Sequence, residues 1–354
     1  MLKLAKKINN RQELILNFLE GNLKYEIGDI LAYLKISFPE ISKVTVNRDL
    51  LSLIKIGFID REGRARSVKY FLSFDYNLIK PIKVEEYFKI STDERNVRQN
   101  FNFDIFEHFN FVFEDAEINY LKKINDEYQN NLRKISAEEA KKEFERLLIE
   151  LSWKSSQIEG NTYTLLETEN LIKEKKEAVG HKKEEAVMIL NHKKAFEYIL
   201  QNKDSYKSID LQKIQEVHAL LTDRLDIAKN FRKRPAGIVG TKYMPLSNEF
   251  QIKEVVEKTC ELVNKKNNPF EKAILLMLLL AYIQPFEDGN KRTSRLLGNA
   301  ILLSFDLCPL SYRSVNEMEY KKAVIIFYEQ NNLNYFKKLF IEQFEFAVKN
   351  YFRS

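Results

Sequence analysis

The chain has 354 residues, which at roughly 100–200 residues per domain suggests two or three domains. Apolar residues make up 44% of it, so a wholly disordered chain is excluded, and with only 10 Gly and 7 Pro it reads as long helices, neither an all-β sandwich nor a collagenous chain. The 57 basic and 51 acidic residues leave +6, too mild a charge to name a nucleic-acid partner by itself. Cys260 and Cys308 lie far apart and form neither a disulfide framework nor a zinc spacing, which suits a reducing cytoplasm. The longest apolar run, Ala273 to Ile283, is too short for a bilayer and reads as a buried helix, and the first residues lack the apolar core of a signal peptide. The expectation is a cytoplasmic chain with no membrane partner.

Residues 1–75 read as helix, helix, helix, hairpin. Leu14, Ile15, Phe18 and Leu19 recur at helical spacing, and Ile27, Ile30, Leu31 and Leu34 do so after a loop containing Gly21. A third helix is predicted from Ser42 as N-cap, with Val46, Leu50, Leu53 and Ile54 on one face and Gly57 as its stop. Two short strands follow around the turn-like Arg61-Glu62-Gly63-Arg64. This order resembles a winged helix-turn-helix. The segment holds 13 basic and 9 acidic residues and so carries +4 of the total +6. Ser42, Lys43, Thr45, Asn47 and Arg48 stand early in the third helix, where such folds meet a major groove, and Arg61, Arg64, Arg66 and Lys69 cluster on the wing. DNA contact through residues 42–69 and a protein-docking module with solvated wing charges are both open readings.

Residues 76–140 read as a helical connector broken early by Pro81, whose dense phenylalanines (Phe101, Phe103, Phe106, Phe111, Phe113) signal packing. Residues 141–354 are almost all helical by periodicity. The exception is 231–252, where Pro235, Gly237, Gly240 and Pro245 alternate with β-prone residues and predict an irregular hairpin.

Chemistry concentrates at 284–295, Q-P-F-E-D-G-N-K-R-T-S-R, which joins the apolar helix to the next one. Pro285 ends the first helix, and Asp288, Gly289 and Asn290 form a tight turn at the start of the second. A helix start offers unpaired N–H groups and partial positive charge to an anion, and Gly289 allows close backbone approach. Arg292 and Arg295 share a helix face and can fork onto phosphate oxygens, while Asp288 is a hard oxygen ligand suited to Mg²⁺ on a nucleotide. Together these features point to a polyphosphate. A capped helix with solvated arginines would carry the same residues.

The segment resembles the Fic (Fido) signature H-x-F-x-[D/E]-G-N-[G/K]-R-x-x-R, with Pro285, Phe286, Asp288, Gly289, Asn290, Lys291, Arg292 and Arg295 in place. The resemblance implies a mainly α fold: an all-helical core with a β-hairpin flap, spanning roughly residues 100–350 and preceded by the small winged-helix domain. It implies transfer of AMP from Mg-ATP to a Ser, Thr or Tyr hydroxyl of a protein target. Gly289, Asn290, Lys291, Arg292 and Arg295 would bind the nucleotide, Asp288 the metal, and Thr241, Tyr243 and Tyr320 would lie near it. The segment 155–161, S-S-Q-I-E-G-N, is similar to the family's inhibitory motif, with Ser155, Glu159 and Gly160 in place, and implies that Glu159 pairs with Arg295 and excludes a γ-phosphate. Segment 231–252 would be the flap, where a target strand adds through backbone hydrogen bonds. Self-association to a homodimer that holds the inhibitory helix down is a further family trait, with no interface legible in the sequence.

The first signature position is Gln284, where the family has the histidine that takes the proton from the attacking hydroxyl. A carboxamide does not titrate in water, and loss of a positioned base costs about 10²–10⁴-fold in rate. His108, His181, His192 and His218 all lie outside the signature. Three explanations stay open: an engineered inactivating change, a natural nucleotide-binding pseudoenzyme that acts as a DNA-binding regulator, and a variant reaction in which the target supplies its own base.

Overall fold

The computed structural model describes residues 8–20, 23–64, 67–110 and 112–353. They divide into two units, Met1–Lys80 with Glu107–Phe111, and Pro81–Phe106 with Val112–Ser354. Gly21, Arg66 and Phe111, singled out above, lie outside the described residues.

The small unit runs α1 (Asn10–Phe18), β1 (Tyr25–Glu26), α2 (Ile27–Ser37), α3 (Lys43–Lys55), β2 (Ile59–Glu62), β3 (Lys69–Leu72) and α4 (Phe74–Ile79). It contains the three helices and the hairpin read from the sequence, plus β1, two residues that no alternation could announce. The three strands form an antiparallel sheet in the order β1-β3-β2, with Arg61 opposite Tyr70 and Tyr25 opposite Tyr70 on the other side. Ser42 caps α3 by accepting from the Thr45 amide at 3.2 Å, and the helix buries Val46, Leu50 and Leu53. Asp49 on the same helix is buried and held by the Arg11 guanidinium at 2.8 Å. Lys43, Asn47 and Arg48 on α3, and Arg61, Arg64 and Lys69 at the hairpin, are exposed.

The large unit contains α5 (Val84–Lys89), α6 (Asp115–Lys134), α7 (Ala137–Ile158), α8 (Leu165–Glu174), α9 (Lys183–Gln201) and α10 (Leu211–Leu221). It continues with α11 (Glu249–Lys265), α12 (Pro269–Ile283), α13 (Asn290–Ser304), α14 (Glu317–Gln330) and α15 (Asn334–Asn350). Its centre is α12, which carries the apolar run and buries every residue from Phe270 to Ile283 bar the half-buried Glu271. Asn268 caps it and Pro269 stands at its first position, where the missing N–H costs nothing. Among the described residues no helix is long and apolar enough to cross a membrane.

Most of the connector read at 76–140 lies within the large unit rather than apart from it. Phe101 stacks on Tyr282 at 4.7 Å, the Asn102 amide donates to the Tyr282 hydroxyl at 3.0 Å, and Arg95 pairs with the buried Glu329 at 3.0 Å. These partners lie some 180 to 230 positions away, beyond the reach of periodicity. The hairpin at 231–252 is not a paired ladder. Residues 231–248 run extended and irregular, and α11 already begins at Glu249 with Asn248 as its cap. Proline carries no amide to donate at 235 or 245. One isolated bridge joins Met244 to Asn100, with the Met244 amide donating to the Gln99 carbonyl at 2.7 Å.

Gly298 marks the close approach of α13 to α12: a Cβ there would lie 2.5 Å from the Met277 sulfur and 2.6 Å from its Cγ. Gly298→Val forces buried helices apart. It should cost about 1–3 kcal/mol, the usual toll of overpacking, read as a lowered urea midpoint at unchanged slope. An unchanged midpoint would show that the two helices do not meet at this residue.

Candidate functional site

The link between α12 and α13 is built by backbone geometry first. Gln284 ends α12 in the left-handed region at φ +50°, and Gly289 sits at φ +80° just before α13, where a side chain would be strained. Asn290 staples the loop closed. Its Oδ1 accepts from the Phe286 amide at 2.8 Å, and its Nδ2 donates to the Phe286 carbonyl at 2.8 Å and to Gln284 Oε1 at 3.1 Å.

His218 on α10 lies flat on Phe286, ring centroids 3.6 Å apart, with Nε2 donating to the Asp288 carbonyl at 2.9 Å. Burial pushes its pKa down to about 4, so it is neutral at physiological pH and Nε2 carries the proton. Arg232 holds the other side. Its amide donates to the Pro285 carbonyl at 3.0 Å, and its Nε to the Gln284 carbonyl at 2.6 Å. Sequence reading missed both roles, because each is defined by a carbonyl 50 to 70 positions away.

Three cations crowd the first turns of α13. Arg292 is 1% and Arg295 0% exposed, and no acid stands in the first turn to offset them. Arg292 donates to Asp288 Oδ2 at 3.2 Å, and Asp288 is 65% exposed. Arg295 donates from Nε to Ser155 Oγ at 2.9 Å, and from Nη2 to the Ser155 carbonyl at 2.8 Å and to Glu159 Oε1 at 2.9 Å. Lys291 Nζ reaches Glu159 Oε2 at 3.2 Å. The Tyr320 ring lies 5.2 Å from the Arg295 guanidinium. Burial alone would push the Glu159 pKa up, but Arg295 and Lys291 outweigh it and hold the carboxyl below its usual value of 4.5. Arg292 Nε and Nη1 and Arg295 Nη1 are buried without a hydrogen-bond partner among the described residues.

Glu159, Ser155, Lys291, Arg295 and Tyr320 thus come together, and Gln284, Asp288, Gly289, Asn290 and Arg292 form the adjoining turn. Gly160 follows Glu159 at φ +98° and turns the chain off α7. Thr241 is half-buried, with its Oγ1 accepting from the Tyr243 amide at 3.1 Å. Tyr243 is buried, its hydroxyl donating to the Tyr282 carbonyl at 2.9 Å, so that hydroxyl faces the core. Gln284 is fully engaged: Nε2 donates to the Ala281 carbonyl at 2.6 Å and to the Tyr328 hydroxyl at 3.2 Å, while Oε1 accepts from Asn290. His192 is buried beside α13 with Nδ1 3.5 Å from Ser152 Oγ, and His181 binds Thr162 at 2.7 Å. His108 binds Asp75 at 3.0 Å in the small unit.

A helix start with paired arginines thus faces a carboxylate from a preceding helix. Residues 208–302 match the Fic/DOC family. The chain is 30% identical over 170 residues to protein adenylyltransferase Fic of Nematostella vectensis, covering 47% of this chain and 40% of that protein. It is 26% identical over 169 residues to protein adenylyltransferase fic-1 of Caenorhabditis elegans, covering 46% and 33%. The match therefore spans less than half the length of either relative. Among solved structures, Fic-1 (residues 134–508) from C. elegans aligns with a TM-score of 0.55 at 18% identity over 66% of this chain and 69% of that one. A Fic domain-containing signaling protein from Bacteroides thetaiotaomicron aligns at 0.55 and 20% over 65% and 95%. The Fic/DOC match covers residues 208–302, and the helical core shares the fold of these solved Fic proteins.

The Glu159 pairing sets a pH dependence. A carboxyl whose folded pKa is depressed contributes stability above its unfolded value and loses it as pH falls through the folded one. The chain should therefore be more stable than Glu159→Gln by about 1–3 kcal/mol at neutral pH, the cost of stranding a buried donor. That gap should stay flat down to about pH 5 and close as the pH drops below the ordinary carboxyl range, in urea melts of both proteins. A gap independent of pH would mean the charge on Glu159 does not hold Arg295.

Proposed function

We propose that this chain is a Fic-type protein adenylyltransferase scaffold that binds Mg-ATP at the start of α13, is restrained by Glu159 and is crippled in catalysis by Gln284. The observation that carries the reading is the set of buried, unpartnered nitrogens on Arg292 and Arg295, a donor set that fits phosphate oxygens. In this reading the backbone of Gly289, Asn290 and Lys291 and the two guanidiniums hold the phosphates, with Thr241 near the nucleotide. Tyr320 supports Arg295, and Tyr243 supports the segment that carries Thr241. Asp288, a single exposed carboxylate, is the residue that would hold Mg²⁺, an ion that needs only one or two protein carboxylates when phosphates supply the rest. When bound, the ion would neutralise phosphate charge.

The chain's own residues then divide the work. Arg292 and Arg295 stabilise charge, and His218 and Asn290 hold the turn open toward a ligand. Glu159 occupies Arg295 and places negative charge where a terminal phosphate would sit. Gln284 cannot take a proton from an attacking hydroxyl: its oxygen accepts from Asn290, and its other two partners are a carbonyl and the Tyr328 hydroxyl, whose pKa burial raises well above 10. A protein target would present its Ser, Thr or Tyr hydroxyl along the extended segment 231–248.

Labelled AMP transfer by this chain should be near background. It should rise about 10²–10⁴-fold when Gln284→His is combined with Glu159→Gly. An inert double variant that also shows no ATP binding by calorimetry would overturn the nucleotidyl-transfer reading.

The small unit favours a second reading, a DNA-binding regulator whose Fic core senses nucleotide without chemistry. It rests on the exposed Lys43, Asn47 and Arg48 early on α3 and on Arg61, Arg64 and Lys69 at the β2–β3 hairpin. This reading requires a gel-shift complex with duplex DNA at low salt that dissolves as salt rises and changes affinity with ATP. Absence of any shifted band at low salt would remove it.

A further inference from the structure

Glu159 is gripped twice, and the second grip comes from the side chain of Lys291, which the nucleotide reading uses only through its backbone. Arg295 takes Oε1 at 2.9 Å and Lys291 takes Oε2 at 3.2 Å, so the two carboxylate oxygens answer to different cations. Lys291 and Arg295 are four apart on α13 and face the same carboxylate. Lys291 stands at the second position of that helix, where the dipole disfavours a cation, and Glu159 caps the end of α7, where the dipole disfavours an anion. Each charge offsets the other's unfavourable place.

We infer that the Lys291 side chain is part of the lock and sets how firmly Glu159 is held off the nucleotide site. The inference rests on the Mg-ATP reading above. For Arg295 to take a terminal phosphate, Glu159 must leave it, and a carboxylate still tethered through Oε2 returns readily. The Lys291 ammonium therefore lowers nucleotide affinity, even though a cation beside phosphate would ordinarily raise it. The pair is partly buried, 27% and 19% exposed, so it is screened less than a surface pair and more than Arg295 itself.

The test is calorimetric titration of Mg-ATP into four full-length proteins: the native chain, Lys291→Met, Glu159→Gly and the double variant. Lys291→Met should bind about two- to fivefold tighter than the native chain, the span expected of a partly exposed ion pair. In the Glu159→Gly background the same substitution should bring no tightening, because there is no carboxylate left to release. Lys291→Arg, which keeps the charge, should restore native affinity and guards against a mere packing effect. Equal or weaker binding by Lys291→Met in the otherwise native chain overturns the inference, as does equal tightening in both backgrounds. If Glu159→Gly itself binds no Mg-ATP, the nucleotide reading fails first and takes this inference with it.

Discussion

Two helix ends of opposite polarity meet at the centre of the large unit, and much else follows from that meeting. The start of α13 brings partial positive charge together with Lys291, Arg292 and Arg295, while the end of α7 brings partial negative charge together with Glu159. Buried guanidiniums without a counter-charge are expensive, so this junction calls for an anion. Glu159 fills that need from within the chain. The proposed phosphate would compete with it for Arg295.

The turn that carries this charge is rigid for reasons that do not involve any ligand. Asn290 uses both ends of its side chain on the Phe286 backbone, His218 stacks on the Phe286 ring, and Arg232 spans from the extended segment to the carbonyls of α12's last residues. Gln284 belongs to this stitching. It is a carboxamide and can only donate and accept hydrogen bonds. Its side chain bridges Asn290 and Tyr328.

The extended segment departs from the hairpin expected of it. A hairpin needs amides facing carbonyls across a ladder, yet the stretch from Phe231 to Asn248 is held by side chains. Arg232 reaches the carbonyls of Arg234 and Leu246, Arg95 that of Gly240, and Lys242 that of Asp93. Its regular backbone partner is the residue pair 99–100, within the connector 76–140. The segment's support is therefore supplied in part by residues more than a hundred positions earlier in the chain.

Local chemistry settled more of this protein than its size suggests. The cap at Ser42, the apolar run that became α12, the turn at Gly289 and the order of elements in the small unit were all legible, because helix caps, periodicity and left-handed glycines act over a few residues. The pairing of Glu159 with Arg295 was legible only through resemblance to a family. What the tertiary structure alone decided are the partners brought from afar: His218 under the signature, Lys291 as a second cation on Glu159, Tyr328 on Gln284 and the absorption of residues 81–106 into the large unit. Those depend on how helices far apart in the chain come to lie side by side. No local rule records that, because the free energy responsible is the shared burial of surfaces that sequence order does not bring together.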